Sequence, residues 1–145
     1  RDRLRGFAEG LAIHERVPVD VIDGMYDRAA AAAATRALMS RADPPDAIFV
    51  GNDHMAFAVM DTLRHELGLK VPQDVSVVGY DDVPLAAWAA YDLTTVRQPV
   101  NRMVEATVET MLAKIADRDR PAQKIEIDGP LVVRGSARIP EGWPR

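Results

Sequence analysis

Two short polar clusters offer the most chemistry in this sequence. Gly51-Asn52-Asp53 follows the apolar run 47–50, and Gly79-Tyr80-Asp81-Asp82 ends the apolar run that starts at Val75. An amide supplies a donor and an acceptor, and an ionised carboxylate accepts up to about four hydrogen bonds. Together they match the vicinal hydroxyls of a sugar or the polar edge of a purine. Asn and Asp are also preferred helix N-caps, so Asp53 and Asp82 are open to a purely structural reading, which Pro84 after Asp82 favours. Of two adjacent polar residues one can cap while the other faces a crevice. We assign Asn52 and Asp81 to the crevice. Arg3 adds a planar, permanently charged donor fork near a helix start, although Arg1, Arg3 and Arg5 also fit a solvated helix face. Gln98 stands beside Pro99 where a strand ends, as a further ligand contact or as an exposed turn residue.

Catalytic patterns are missing. There is no Gly-x-Ser-x-Gly elbow and no glycine-rich phosphate loop. His14, His54 and His65 are scattered, and His65-Glu66 is not followed by a second histidine one helical turn on, so the zinc-protease pattern fails. Asp81 and Asp82 are neighbours in the chain, which does not by itself set two carboxylates across a substrate. The expectation is a binding protein and not an enzyme, with no cofactor and no metal.

Ligands of open parallel sheets bind outside the carboxyl ends of the strands, so the surrounding elements decide whether the clusters meet. Three short β-branched runs, at residues 19–22, 47–50 and 75–79, alternate with helical patterns at close to βαβ spacing. The runs are continuous and not alternating, as strands buried on both faces require. Residues 26–39, with an alanine block at 29–34, predict a helix. Met55, Val59, Met60, Leu63 and Leu67 recur at helical spacing up to the stop signals Gly68 and Pro72. Another amphipathic helix is predicted over 100–116, with Val104, Val108, Met111, Leu112 and Ile115 as its stripe. Residues 4–13 predict an opening helix, and 124–127 and 131–134 predict two further strands. The apolar segment 85–91 either covers the core or forms an oligomer contact, and its aromatics lean towards the contact. The expected class is α/β, a parallel sheet flanked by helices.

Composition sets the outer bounds. The 145 residues are enough for one domain with a sizeable core. At 48% hydrophobic and 28% charged residues the balance is that of a globular domain. No apolar run approaches the roughly 20 residues of a membrane-spanning helix. The net charge of −4 argues against this chain itself gripping DNA, whose affinity comes from Lys and Arg on phosphates. The lack of cysteine excludes disulfides and thiolate metal sites and suits the cytosol. With neither an initiator Met nor an apolar leader at Arg1-Asp2-Arg3, the chain reads as beginning in mid-protein.

Five stretches, in order, resemble one family. PDAIFVGNDHMA at 45–56 resembles the P-T-A-I…N-D-x-M-A stretch of LacI/GalR transcription regulators. GLKVPQDVSVVGYDD at 68–82, LTTVRQP at 93–99, LVVRGS at 131–136 and RLRGF at 3–7 match further stretches of the same family. The resemblance covers nearly the whole chain. It implies a type I periplasmic-binding-protein-like fold of two subdomains with a small-molecule effector, a sugar or purine, between them. It also implies a cytoplasmic homodimer that reaches operator DNA through an N-terminal helix-turn-helix domain. Arg3, Asn52, Asp81 and Gln98 fall on the family's effector-contacting positions, and Tyr26 or Met25 on that of an aromatic that stacks on the ligand. A transporter's periplasmic sugar-binding protein is the alternative with the same fold.

The resemblance divides the chain into 1–96, the main part of the C-terminal subdomain; 97–128, a crossover strand, helix and strand of the N-terminal subdomain; and 129–145, the return strand and tail. The DNA-binding domain, most of the first subdomain and the strand before Arg3 are expected to lie outside this chain, so the fold is expected to be incomplete. Asp92 stands where the family often has Pro. The helix at 100–116 then lacks its usual partner, and the chain is expected to expose apolar surface and to associate or be poorly stable.

Overall fold

A computed structural model of the chain describes residues 2–142. Helix α1 (Asp2–Ile13) is followed by an extended segment and then α2 (Arg28–Met39), whose start is capped by the Asp27 carboxylate accepting from the Ala30 N–H. Next come β1 (Ala47–Phe49), α3 (Asp53–Asp61) and a π-helical turn over Thr62–Glu66. The strands β2 (Ser76–Asp81) and β3 (Thr94–Arg97) are joined by a short 3-10 turn at Pro84–Ala87. Helix α4 (Val100–Ala116) and β4 (Leu131–Val132) complete the set.

The four strands form one mixed sheet in the order β1-β2-β3-β4. The first three are parallel, and β4 returns antiparallel on β3, with Thr95 opposite Val132 and Val96 opposite Leu131. The return follows from topology, since a segment that leaves the carboxyl end of β3 and comes back to the same end must run the other way. The core forms where α3 lies on β2 and β3. Phe57, Met60, Leu63, Val77 and Leu93 are completely buried there, with Ala56 and Ala86 between them. Residues 85–91 cover this core and only in part face outward. Ala86 is fully buried and the Tyr91 ring lies 4.3 Å from that of Phe57, while Trp88 is exposed. At the amino end of the sheet the fully buried Ser136 hydroxyl donates to Val77 O and accepts from Thr94 N, which ties the C-terminal tail to β2 and β3.

Two of the expected strands do not form. Residues 19–22 are extended but belong to no sheet, with Val19, Val21 and Ile22 exposed. A cavity of about 190 Å³ separates this segment from β1. Its apolar character records a demand for burial, but without an adjacent strand its backbone has no ladder to join. Residues 124–127 are likewise coil, with no neighbouring strand among the described residues. The helices stand where the spacing predicts them, within two residues at most ends, except that the long helix after Asn52 finishes in the π-helical turn.

Candidate functional site

The carboxyl ends of β1, β2 and β3 lie side by side, which brings Gly51, Asp81 and Gln98 together from positions far apart in the sequence. Arg3 reaches them from the first turn of α1. Its guanidinium donates to Gly51 O and to Asp81 Oδ1, the latter at 3.0 Å, and lies 4.0 Å over the ring of Tyr80. The Gln98 amide donates to the same Asp81 oxygen. Phe7, one helical turn after Arg3, stacks on Phe49 at 4.9 Å and so seats α1 against the sheet. A cation, a carboxylate, an amide and an aromatic ring thus converge on one spot. Both charges are only part-buried, so both remain able to exchange a mutual contact for a ligand's hydroxyls.

Backbone geometry marks the same place. Asp81 and Asp82 have φ of +128° and +58°, values that side-chain-bearing residues avoid at a cost of order 1–3 kcal/mol each. Surrounding bonds must hold them there. Next to Asp81, Gly79 is required because a Cβ would sit 2.3 Å from Asp53 Oδ1 and 2.9 Å from Leu93.

The expected cap at the first cluster is displaced by one residue. Asn52, and not Asp53, caps α3, its Oδ1 accepting the Met55 N–H at 2.8 Å. Its amide nitrogen donates to no described residue, so Asn52 keeps a donor at the strand end. Asp53 is completely buried and accepts from Thr95 Oγ1 at 2.6 Å and Val83 N at 2.9 Å. It therefore locks the start of α3 to β3 and to the loop after β2. Asp82 does not cap the following turn either. It takes Arg97 on one oxygen at 2.5 Å and Arg134 on the other at 2.6 Å. Burial raises its pKa, but the hydrogen bonds and charges of Arg134 and Arg97 outweigh it and hold the carboxyl below its ordinary value.

Tyr26 stands apart from this convergence. It lies in the turn before α2 at φ +54° with most of its surface exposed, and no described hydrogen bond or ring contact joins it to Arg3, Asp81 or Gln98. Met25 beside it is exposed too. Sequence reasoning gave no role to Tyr80 and did not find the partners that fix Asp53 and Asp82, which are Thr95 for the first and Arg97 and Arg134 for the second. A glycine inside an apolar strand signals a close approach, and Gly79 is the one trace of the buried Asp53 that the sequence carries.

A strand-end cleft on a parallel sheet whose chain crosses out and returns is the architecture of a periplasmic-binding-protein-like domain, and the model of that domain family matches residues 1–137. The repressor PurR of Photobacterium profundum is 33% identical over 141 residues, which are 95% of this chain and 42% of that protein. The transcriptional regulator CelR in its cellobiose complex superimposes with a TM-score of 0.83 at 32% identity, over 94% of this chain and 42% of that one. A LacI family regulator from Enterococcus faecalis with bound ribose gives 0.77 at 27% identity, over 93% and 48%. The chain belongs to the periplasmic-binding-protein-like domains, in their LacI/GalR branch. It spans about two fifths of the length of the curated relatives it matches. Those relatives are named as transcriptional repressors, not enzymes. Among the described residues no helix is long and apolar enough to cross a membrane.

Proposed function

We propose that this chain is the C-terminal part of the effector-sensing region of a cytoplasmic, homodimeric transcription regulator. A small polar effector, a sugar or purine-like molecule, is held by Arg3, Asn52, Asp81 and Gln98, with Tyr26 as the aromatic that stacks on it. Residues 1–96 supply the main part of one subdomain, 97–128 belong to the other, and 129–145 return to the first. Operator DNA is reached through a helix-turn-helix domain elsewhere in the protein. Ligand binding shifts the balance between cleft states only to the extent that it favours one of them.

The observation that carries this reading is the convergence of Arg3, Tyr80, Asp81 and Gln98 at the strand ends. Arg3 and Asp81 compensate each other's charge, which suits a neutral ligand rich in both donors and acceptors. The named relatives, repressors and regulators, favour this over a transporter's binding protein. The test starts from the full-length protein, with a thermal-shift screen against cellobiose, D-ribose, adenine and guanine, since a ligand stabilises the state it binds. For the hit, Asp81→Ala is expected to weaken binding by about 2 kcal/mol in calorimetry. Unchanged affinity removes Asp81 from the site, and the reading with it.

A further inference from the structure

The segment between β3 and β4 is an excursion. It leaves the sheet at Arg97, carries α4, and comes back at residues 129–134. Its two legs touch. Arg97 N donates to Pro130 O at 2.9 Å, and a Cβ on Gly129 would lie 2.3 Å from Arg97 O. Helix α4 buries none of its residues, so what orients the excursion must lie largely at the legs.

Both legs end on one carboxylate. Asp82 Oδ2 accepts from Arg97 on the departing leg, and Asp82 Oδ1 from Arg134 on the returning leg. The Asp82 side chain is 6% exposed, and Arg134 also donates to Leu93 O at 2.7 Å, so the arrangement is enclosed and fixed at its base. Asp82 follows Asp81 directly, and Asp81 receives Gln98, the first residue of the excursion, through both its backbone carbonyl and its side chain. A cavity of about 670 Å³ lies between Tyr80 and the excursion, bounded by Gln98, Met103 and Thr107 on one side and reaching Ile125 and Ile127. Any rotation of the excursion about its legs changes the width of that cavity.

We propose that Asp82 is a positioning residue for the cleft: by holding Arg97 and Arg134 together it fixes how residues 98–128 stand over Tyr80 and Asp81, and so sets the cleft's width. The carboxylate acts through the two arginines and touches no ligand. The consequence for effector binding rests on the function proposed above, but the geometric claim does not, because it is measured without ligand.

The chain has no cysteine, so labels can be placed at will. In the full chain, spin labels on Ala33→Cys in α2 and Glu109→Cys in α4, both exposed positions, report the distance across the cleft. With Asp82 intact the distance distribution is expected to be narrow. Asp82→Asn is expected to broaden it and shift its mean by more than about 2 Å, beyond the adjustment of a rigid interface. Arg97→Ala, which removes only the more exposed arm, is expected to broaden it less, and Arg97→Lys to restore part of the narrow form. Superimposable distributions for a folded Asp82→Asn overturn the proposal, since a merely structural carboxylate lowers stability without moving the labels. If Asp82→Asn does not fold, Arg97→Ala decides: a broadened distribution supports the clamp and an unchanged one overturns it.

Discussion

Helices α3 and α4 carry similar signals in sequence and meet opposite fates. Each is amphipathic, with an aliphatic stripe at helical spacing. Helix α3 buries seven of its nine residues. Helix α4 buries none of its seventeen, and Val104, Val108, Met111, Leu112 and Ile115 all stand exposed. The periodic pattern states which face a helix needs to cover but does not say that the cover is in the same chain. What α3 has and α4 lacks is close neighbours in the same chain, α2 and β2, and its start is capped by Asn52 and tied to β3 by Asp53.

The sharpest way to break the comparison is to remove a large apolar group from each side. Phe57→Ala, in the fully buried middle of α3, is expected to cost about 3–5 kcal/mol in urea unfolding, because truncation loses both transfer energy and packing. A loss below about 1 kcal/mol would mean that the α3 core is loosely packed, and the contrast with α4 would disappear.

Charge offers the second test. The folded pKa of Asp82 lies below its ordinary 3.8, so its ion pairs add stability above that ordinary value and lose it as pH falls through the folded one. The difference in unfolding free energy between the parent chain and Asp82→Asn is therefore expected to be full at pH 7 and to shrink below pH 4. At neutral pH it is expected to be about 3 kcal/mol, since the variant leaves the largely enclosed Arg134 without its anion. A difference that stays constant down to pH 2 would assign the loss to shape and not to charge.

Asn52→Ala is the gentler probe of how α3 is pinned. Losing the cap is expected to cost about 1 kcal/mol. Asn52→Asp keeps an acceptor for the Met55 N–H and is expected to recover most of it. The two variants thereby separate the capping oxygen from the amide nitrogen, which only ligand binding would miss.

Particular residues show how far the sequence could be read. The strands at 47–50 and 75–79 were legible as unbroken apolar runs, although β1 itself is only part-buried in this chain, and the meeting of Asp81 and Gln98 because strand ends of a parallel sheet converge, whereas Arg3, which comes from a helix, stood out only through the family resemblance. The same apolar signal at 19–22 misleads, since a strand also needs a neighbour's backbone, and composition carries no information about that neighbour. Asp82 was open to two readings, cap or ligand contact, and it does not cap but takes Arg97 and Arg134. Its partners lie 15 and 52 residues away, and ion pairs at such separation leave no periodic trace. At the Asn52-Asp53 pair, propensity favours both residues as caps and cannot choose between them. The choice is made by Thr95 and Val83, which claim Asp53 from other elements.

The smallest expected effect belongs to α4 and completes the contrast. Met111→Ala removes an exposed side chain and is expected to change the unfolding free energy of the isolated chain by less than about 0.5 kcal/mol. The same stripe is expected to matter for association, because an unpartnered apolar face is covered by whatever comes first. Leu112→Lys should then lower the self-association seen by sedimentation while leaving unfolding at low protein concentration unchanged. In the full-length protein, where the reading above gives α4 a partner, Met111→Ala is expected to become costly, approaching the 2–5 kcal/mol of a buried methionine, on the order of the α3 core. An equal, negligible effect in both settings would mean that the stripe of α4 stays uncovered, and that similar patterns in α3 and α4 serve different ends.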